Sequence, residues 1–80
     1  MERGKIKDIV VAFLIDEFEI DEDVISDEAH LIDDLGLESL DFVDIVVIIE
    51  KEFGFKVKRE EMKEIRVLND LYTYIENNLK

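Results

Sequence analysis

Apolar residues return at helical intervals in three separate stretches of this chain, and the segments between them are polar and acidic. In the first stretch Ile6, Ile9, Val10, Phe13 and Leu14 form one stripe, which predicts a helix over about 3–17. Val11 and Ile15 lie off that stripe and are available to a loop or a partner. From 18 to 38 the periodicity weakens and acids cluster, with Ile20, Val24, Ile25, Leu31, Leu35 and Leu37 as isolated anchors. A loop this long in a small domain is usually functional or packed by its own side chains. Periodicity resumes at Ser39 and runs to about Phe53, where Gly54 supplies a stop. A short third helix is expected around 60–65. A fourth is expected over about 68–79, with Leu68, Leu71, Tyr72, Ile75 and Leu79 inward. The β-branched residues fall in the same helical pattern, so the expected fold is all-α: a four-helix bundle with a short third helix and a long loop between helices one and two.

The second helix is apolar on two sides. At about 100° per residue, Phe42, Ile45, Val46, Ile49 and Phe53 gather on one side, while Leu40, Val43, Val47 and Ile48 spread over much of the other. A helix in a small bundle needs only one apolar face for the core. Either the long loop covers the second face, or it is a docking surface built from Leu40, Val43, Asp44, Val47, Ile48 and Glu50. An apolar patch rimmed by acids suits a transient, charge-steered contact.

Composition narrows the function. Eighty residues with 48% hydrophobic content predict one packed domain, 1–80, and not a disordered acidic tail. The formal net charge of −12 argues against nucleic acid and anionic membranes and favours partners with basic patches. There is no cysteine, which excludes disulfides, thiolate metal sites and cysteine nucleophiles. The apolar run 9–15 is short, bracketed by Asp8 and Asp16 and followed by no cleavage site, which excludes a signal peptide and predicts a cytoplasmic protein. No segment approaches the roughly 20 apolar residues needed to span a bilayer.

Catalytic and metal chemistry find little support. His30 is the only histidine and has no evident partner nucleophile or second nitrogen ligand, so it reads as a loop or surface residue. The run Asp21-Glu22-Asp23 lacks the glycine of a calcium loop, and Ile32 stands at the twelfth position where a bidentate acid is required. Asp33 and Asp34 could act as acid and base only in a cleft. The expectation is no enzyme and no metal site.

The one stretch that carries chemistry is Asp34-Leu35-Gly36-Leu37-Glu38-Ser39-Leu40-Asp41. A serine at the first turn of an apolar helix is a capping residue by default. Here the upstream Gly36 allows a close backbone approach, and the helix dipole favours an anion held at Ser39. The stretch resembles the phosphopantetheine attachment motif of acyl carrier proteins, whose usual core is Asp-Ser-Leu. The resemblance covers nearly the whole chain, with no gap needed from about Val24 onward, and includes Phe53-Gly54 and residues 65–75.

The resemblance implies that Ser39 carries 4′-phosphopantetheine, installed from coenzyme A by a separate phosphopantetheinyl transferase that uses Mg²⁺. Asp34, Leu35, Gly36, Glu38, Leu40 and Asp41 would frame the attachment site. The arm's thiol would hold an acyl chain as a thioester, sheltered by Phe42, Ile45, Val46, Ile49, Ile65 and Leu71. Implied partners are that transferase and acyl-loading, acyl-processing or acyltransferase enzymes, met by a monomer with no stable membrane binding. The chain departs from the family's usual residues at Glu38 for Asp, Leu37 for Ala, and Phe42 and Ile48 for smaller or more polar side chains. It departs again at Arg59 for an Asp cap and Val67 for a Thr cap. These departures fit a specialised lipid or polyketide carrier at least as well as one for general fatty-acid synthesis. The alternatives are an aminoacyl or peptidyl carrier, which usually has paired glycines where this chain has Gly36-Leu37, and an unmodified acidic interaction module.

Overall fold

Four α-helices follow one another in the computed structural model, which describes residues 1–79: α1 (Arg3–Phe18), α2 (Ser39–Phe53), α3 (Arg59–Met62) and α4 (Leu68–Asn78). The bounds of α2 match the expected ones, and α1 runs one residue further. The third helix begins one residue earlier than expected and is a single turn, with turn geometry taking over at Lys63 and Glu64. One element was not legible: a 3-10 turn at Glu22–Val24, started by the Asp21 carboxylate accepting the Asp23 N–H at 3.0 Å. The acids read as a failed calcium loop thus make a local turn.

The helix ends explain the bounds. Gly54 closes α2 in a left-handed conformation (φ 75°), where a Cβ would be strained. At the end of α1 the same conformation falls on Glu19 (φ 54°), and the Glu19 and Ile20 N–H groups donate back to Ile15 and Leu14 carbonyls at 3.1 and 3.2 Å. That closure turns the chain so that Ile20 enters the core (8% exposed).

Ile6, Val10, Phe13 and Leu14 of α1 meet Leu68, Leu71, Tyr72 and Ile75 of α4, and Ile45, Val46, Ile49 and Phe53 of α2 complete the core. The loop anchors Leu31, Leu35 and Leu37 are buried with them, and Ile25 is half-buried. Val24 is a correction: the turn at Glu22–Val24 points it outward, and it is 44% exposed.

The long loop is fastened to α4 through its backbone. The carbonyls of Asp27 and Ala29 accept the N–H groups of Asn69 and Leu68 at 2.8 and 3.1 Å, and the Leu31 N–H donates to the Arg66 carbonyl at 2.9 Å. The expected Thr cap is therefore unnecessary at Val67. Loop carbonyls take the first N–H groups of α4, and the Asp70 carboxylate takes those of Arg66 and Val67 at 3.2 and 3.3 Å. Arg59 is likewise not a cap but the first helical residue; Lys58 stands at the cap position and offers no side-chain acceptor. His30 is half-buried and structural. Its Nδ1 accepts the Ile32 and Asp33 N–H groups at 3.2 and 3.1 Å, which winds the turn that leads to Gly36.

Candidate functional site

The turn over 31–35 ends at Gly36, whose φ of 72° favours glycine. The Gly36 and Leu37 N–H groups donate to the Ile32 and Leu31 carbonyls, both at 3.1 Å. A Cβ at Gly36 would meet nothing within 4 Å, so its backbone faces open space as well as needing the left-handed conformation. Leu35 and Leu37 anchor either side of it, 8% and 4% exposed. The segment is thereby held rigidly as it enters α2. Asp34 supports it by accepting the His30 N–H at 2.7 Å.

Ser39 is not the cap of α2. Glu38 occupies the cap position and Ser39 is the first helical residue. The reciprocal contact comes from Asp41, whose carboxylate accepts the Glu38 N–H at 2.8 Å while its own N–H reaches the Glu38 carbonyl at 2.9 Å. This division of labour leaves the Ser39 hydroxyl without a hydrogen-bond partner among the described residues, on an exposed residue. The Ser39 and Leu40 N–H groups are also without acceptors among the described residues, as expected for a first helical turn.

Ser39 opens on a cavity of about 390 Å³ between α2, α3 and the loop, lined also by Ile32, Phe42, Val43, Val46, Arg59, Met62, Lys63 and Ile65. Of the six residues expected to shelter an acyl chain, Phe42, Val46 and Ile65 line this cavity. Ile45, Ile49 and Leu71 do not: they are 1%, 0% and 0% exposed and pack the core behind it. Ile32, Met62, Arg59 and Lys63 were missed. One turn of helix has no readable periodicity, so sequence alone could not say which way α3 faces.

The docking set divides similarly. Leu40, Val43 and Val47 are 77%, 42% and 57% exposed, and Asp44 is exposed with them, so the long loop does not cover this face. Val43 also reaches the cavity wall. Ile48 is half-buried against the core and shares a shallow groove with Phe18 of α1. Glu50 belongs to the fold: its Oε2 accepts the Val57 N–H at 2.9 Å and holds the chain that leaves α2. Among the described residues no helix is long and apolar enough to cross a membrane.

The geometry fits a covalently attached arm: a projecting, unbonded hydroxyl beside an apolar cavity within the usual size range for small-molecule pockets. Comparison with known proteins agrees. The family model described as the phosphopantetheine attachment site matches residues 8–75. An acyl carrier protein of Thermotoga maritima is 40% identical over 77 residues, spanning 96% of this chain and 95% of that protein. The acyl carrier protein AcpXL of Mesorhizobium japonicum is 46% identical over 74 residues, spanning 88% of this chain and 80% of that protein. The fold is also similar to that of a solved acyl carrier protein from Thermotoga maritima, with a TM-score of 0.84 at 29% identity over 99% of this chain and 92% of that one. Proteins of this kind are substrates of phosphopantetheinyl transferases and serve separate synthesis enzymes. The chain therefore belongs to the acyl carrier protein family and is a carrier of acyl groups on 4′-phosphopantetheine, not a catalyst.

Proposed function

We propose that residues 1–80 form a single acyl-carrier-type domain in which Ser39 is the residue that bears the arm. The observation that carries this is the hydroxyl itself: exposed, free of the capping role that Glu38 and Asp41 perform, and set at the mouth of the 390 Å³ cavity. Asp34, Leu35, Gly36, Glu38 and Asp41 present it, the first three by fixing the approach and the last two by fixing the helix start, while Leu40 of the same motif lies exposed beside it. When bound, the prosthetic group supplies the thiol that a chain without cysteine lacks. This chain's part is to project the attachment point and to offer cargo an apolar wall of Phe42, Val46, Met62 and Ile65 away from water.

Leu40, Val43, Asp44 and Val47 form the surface that partner enzymes meet. An apolar patch on a chain of net charge −12 favours partners with basic rims, docked by a monomer in the cytoplasm. The cargo is acyl, for fatty-acid or specialised lipid or polyketide synthesis. Similarity both to proteins called simply acyl carrier protein and to AcpXL leaves room for the specialised role. Incubation with coenzyme A, Mg²⁺ and a broad-specificity transferase should add the mass of one phosphopantetheinyl group to the wild type and none to Ser39→Ala. Addition to that variant would place the arm elsewhere, with Ser26 the other serine. No addition to either would favour an unmodified interaction module.

A further inference from the structure

The cavity wall is unusual in its charge. In a chain with 22 acids and 10 Lys or Arg, the charged residues lining the cavity beside Ser39 are two cations, Arg59 and Lys63. They stand four residues apart at the start of the short α3 and its following turn, a spacing that places both on one side. Neither forms a salt bridge among the described residues, although Glu60, Glu61 and Glu64 are their neighbours in sequence. Both side chains are exposed, so each is available to a group arriving at the cavity mouth.

An anion fixed at Ser39 faces a local problem. Glu38 and Asp41 flank it, Asp44 lies five residues on, and the whole molecule repels it. The free N–H groups of the first turn of α2 offset part of this. Cations across the cavity offset more, and they also draw whatever hangs from Ser39 over the apolar wall instead of letting it extend into water.

We infer that Arg59 and Lys63 bind the phosphodiester of the arm and so hold the arm folded over the cavity. They are thus positioning residues for the prosthetic group. This rests on the assignment of the arm to Ser39. With the contact in place, cargo spends more time against Phe42 and Met62 and less exposed to a partner. A basic partner surface competes for the same phosphate and releases the arm.

The test compares apo and holo forms of the wild type with those of the Arg59→Gln/Lys63→Gln double variant, after intact mass has established that each holo sample carries one arm. Because each protein is its own reference, the variant's own change in stability cancels; the long-range repulsion of the added phosphate does not, so the phosphorus resonance is read beside the melting increments. At low ionic strength, conversion to holo should raise the melting temperature of the wild type by about 2–6 °C more than that of the double variant, as expected for an exposed charge contact in a domain of this size. High salt should erase the difference. The phosphorus NMR resonance of the arm should move with salt in the wild type and stay still in the double variant, with Arg59→Lys restoring the movement. Equal melting increments and an unmoved resonance in samples that do carry the arm would overturn the inference while leaving the Ser39 assignment intact. A difference that appears only after loading a dicarboxylic acyl group would also overturn it, because the cations would then be reading cargo. Failure of Ser39→Ala to block loading would instead remove the assignment on which the inference stands.

Discussion

At the scale of single residues, the consequential fact is that the start of α2 is secured by neighbours of Ser39 and not by Ser39. Ser39→Ala should leave thermal unfolding nearly unchanged, whereas Asp41→Ala, which strips the acceptor from the Glu38 N–H, should cost about 1 kcal/mol. Denaturant unfolding of the two variants checks this; a larger loss for Ser39→Ala would restore it as the cap. The two sides of α2 give a second contrast. Ile49 is fully buried, and Ile49→Ala should cost about 2–5 kcal/mol. Val47, 57% exposed, should accept Thr within about 0.5 kcal/mol while weakening transfer by a cognate loading enzyme. Ile48 is half-covered beside Phe18, so Ile48→Gln should fall between the two, where the helical wheel alone placed it on the free face. The wheel separated the sides of α2 correctly in outline. It could not know that α1 ends in Phe18 against the edge of the second side, because that contact is made across the bundle.

At the scale of elements, α1 and α4 are joined by a polar clamp as well as by the core. Arg3 donates to the Asn69 carbonyl at 3.2 Å and to Thr73 Oγ1 at 3.1 Å, and it pairs with Glu76 at 3.6 Å. The Arg3 guanidinium and the Lys7 ammonium lie 5.9 and 5.8 Å from the centre of the Tyr72 ring. Burial first, and the Asp27 carboxylate second, push the Tyr72 phenol up to about 12 against the pull of Arg3. The unfolded phenol loses its proton near 10, so stability is intact below that pH and falls as pH rises toward about 12. The fall is at most about 1.4 kcal/mol per pH unit from this group. Tyr72→Phe should flatten that alkaline limb in denaturant titrations across the same window; an unchanged limb would mean that the phenol ionises alike in both states. Strong periodicity made α1, α2 and α4 legible from sequence. The existence of a short α3 was legible too, but not its one-turn length or the way it faces. The turn at Glu22–Val24 and the Asp70 and loop-carbonyl replacement for the missing cap at Val67 were not legible, because each depends on one or two hydrogen bonds and not on a repeating pattern.

At the scale of the whole molecule, charge and carrier function are linked. A net charge of −12 on a domain this small makes it repel itself when alone, and on the proposed docking reading it would favour encounter with basic surfaces. Raising ionic strength at neutral pH should therefore raise the melting temperature of the apo protein. An unchanged melting temperature would mean that its acids are already compensated locally. The family was readable because the motif that resembles it is written in consecutive residues, Asp34 to Asp41. The cavity was only half readable, since Phe42, Val46 and Ile65 share a helical pattern or a family likeness, whereas Arg59, Met62 and Lys63 reach it only through the fold. The central claim, an acyl carrier armed at Ser39, is tested most directly by peptide-level mass spectrometry of the protein isolated from its own cell. One phosphopantetheinyl group, with or without an acyl chain, is expected on the peptide that contains Ser39. An arm mapped to Ser26, or a protein that is always bare, would contradict it.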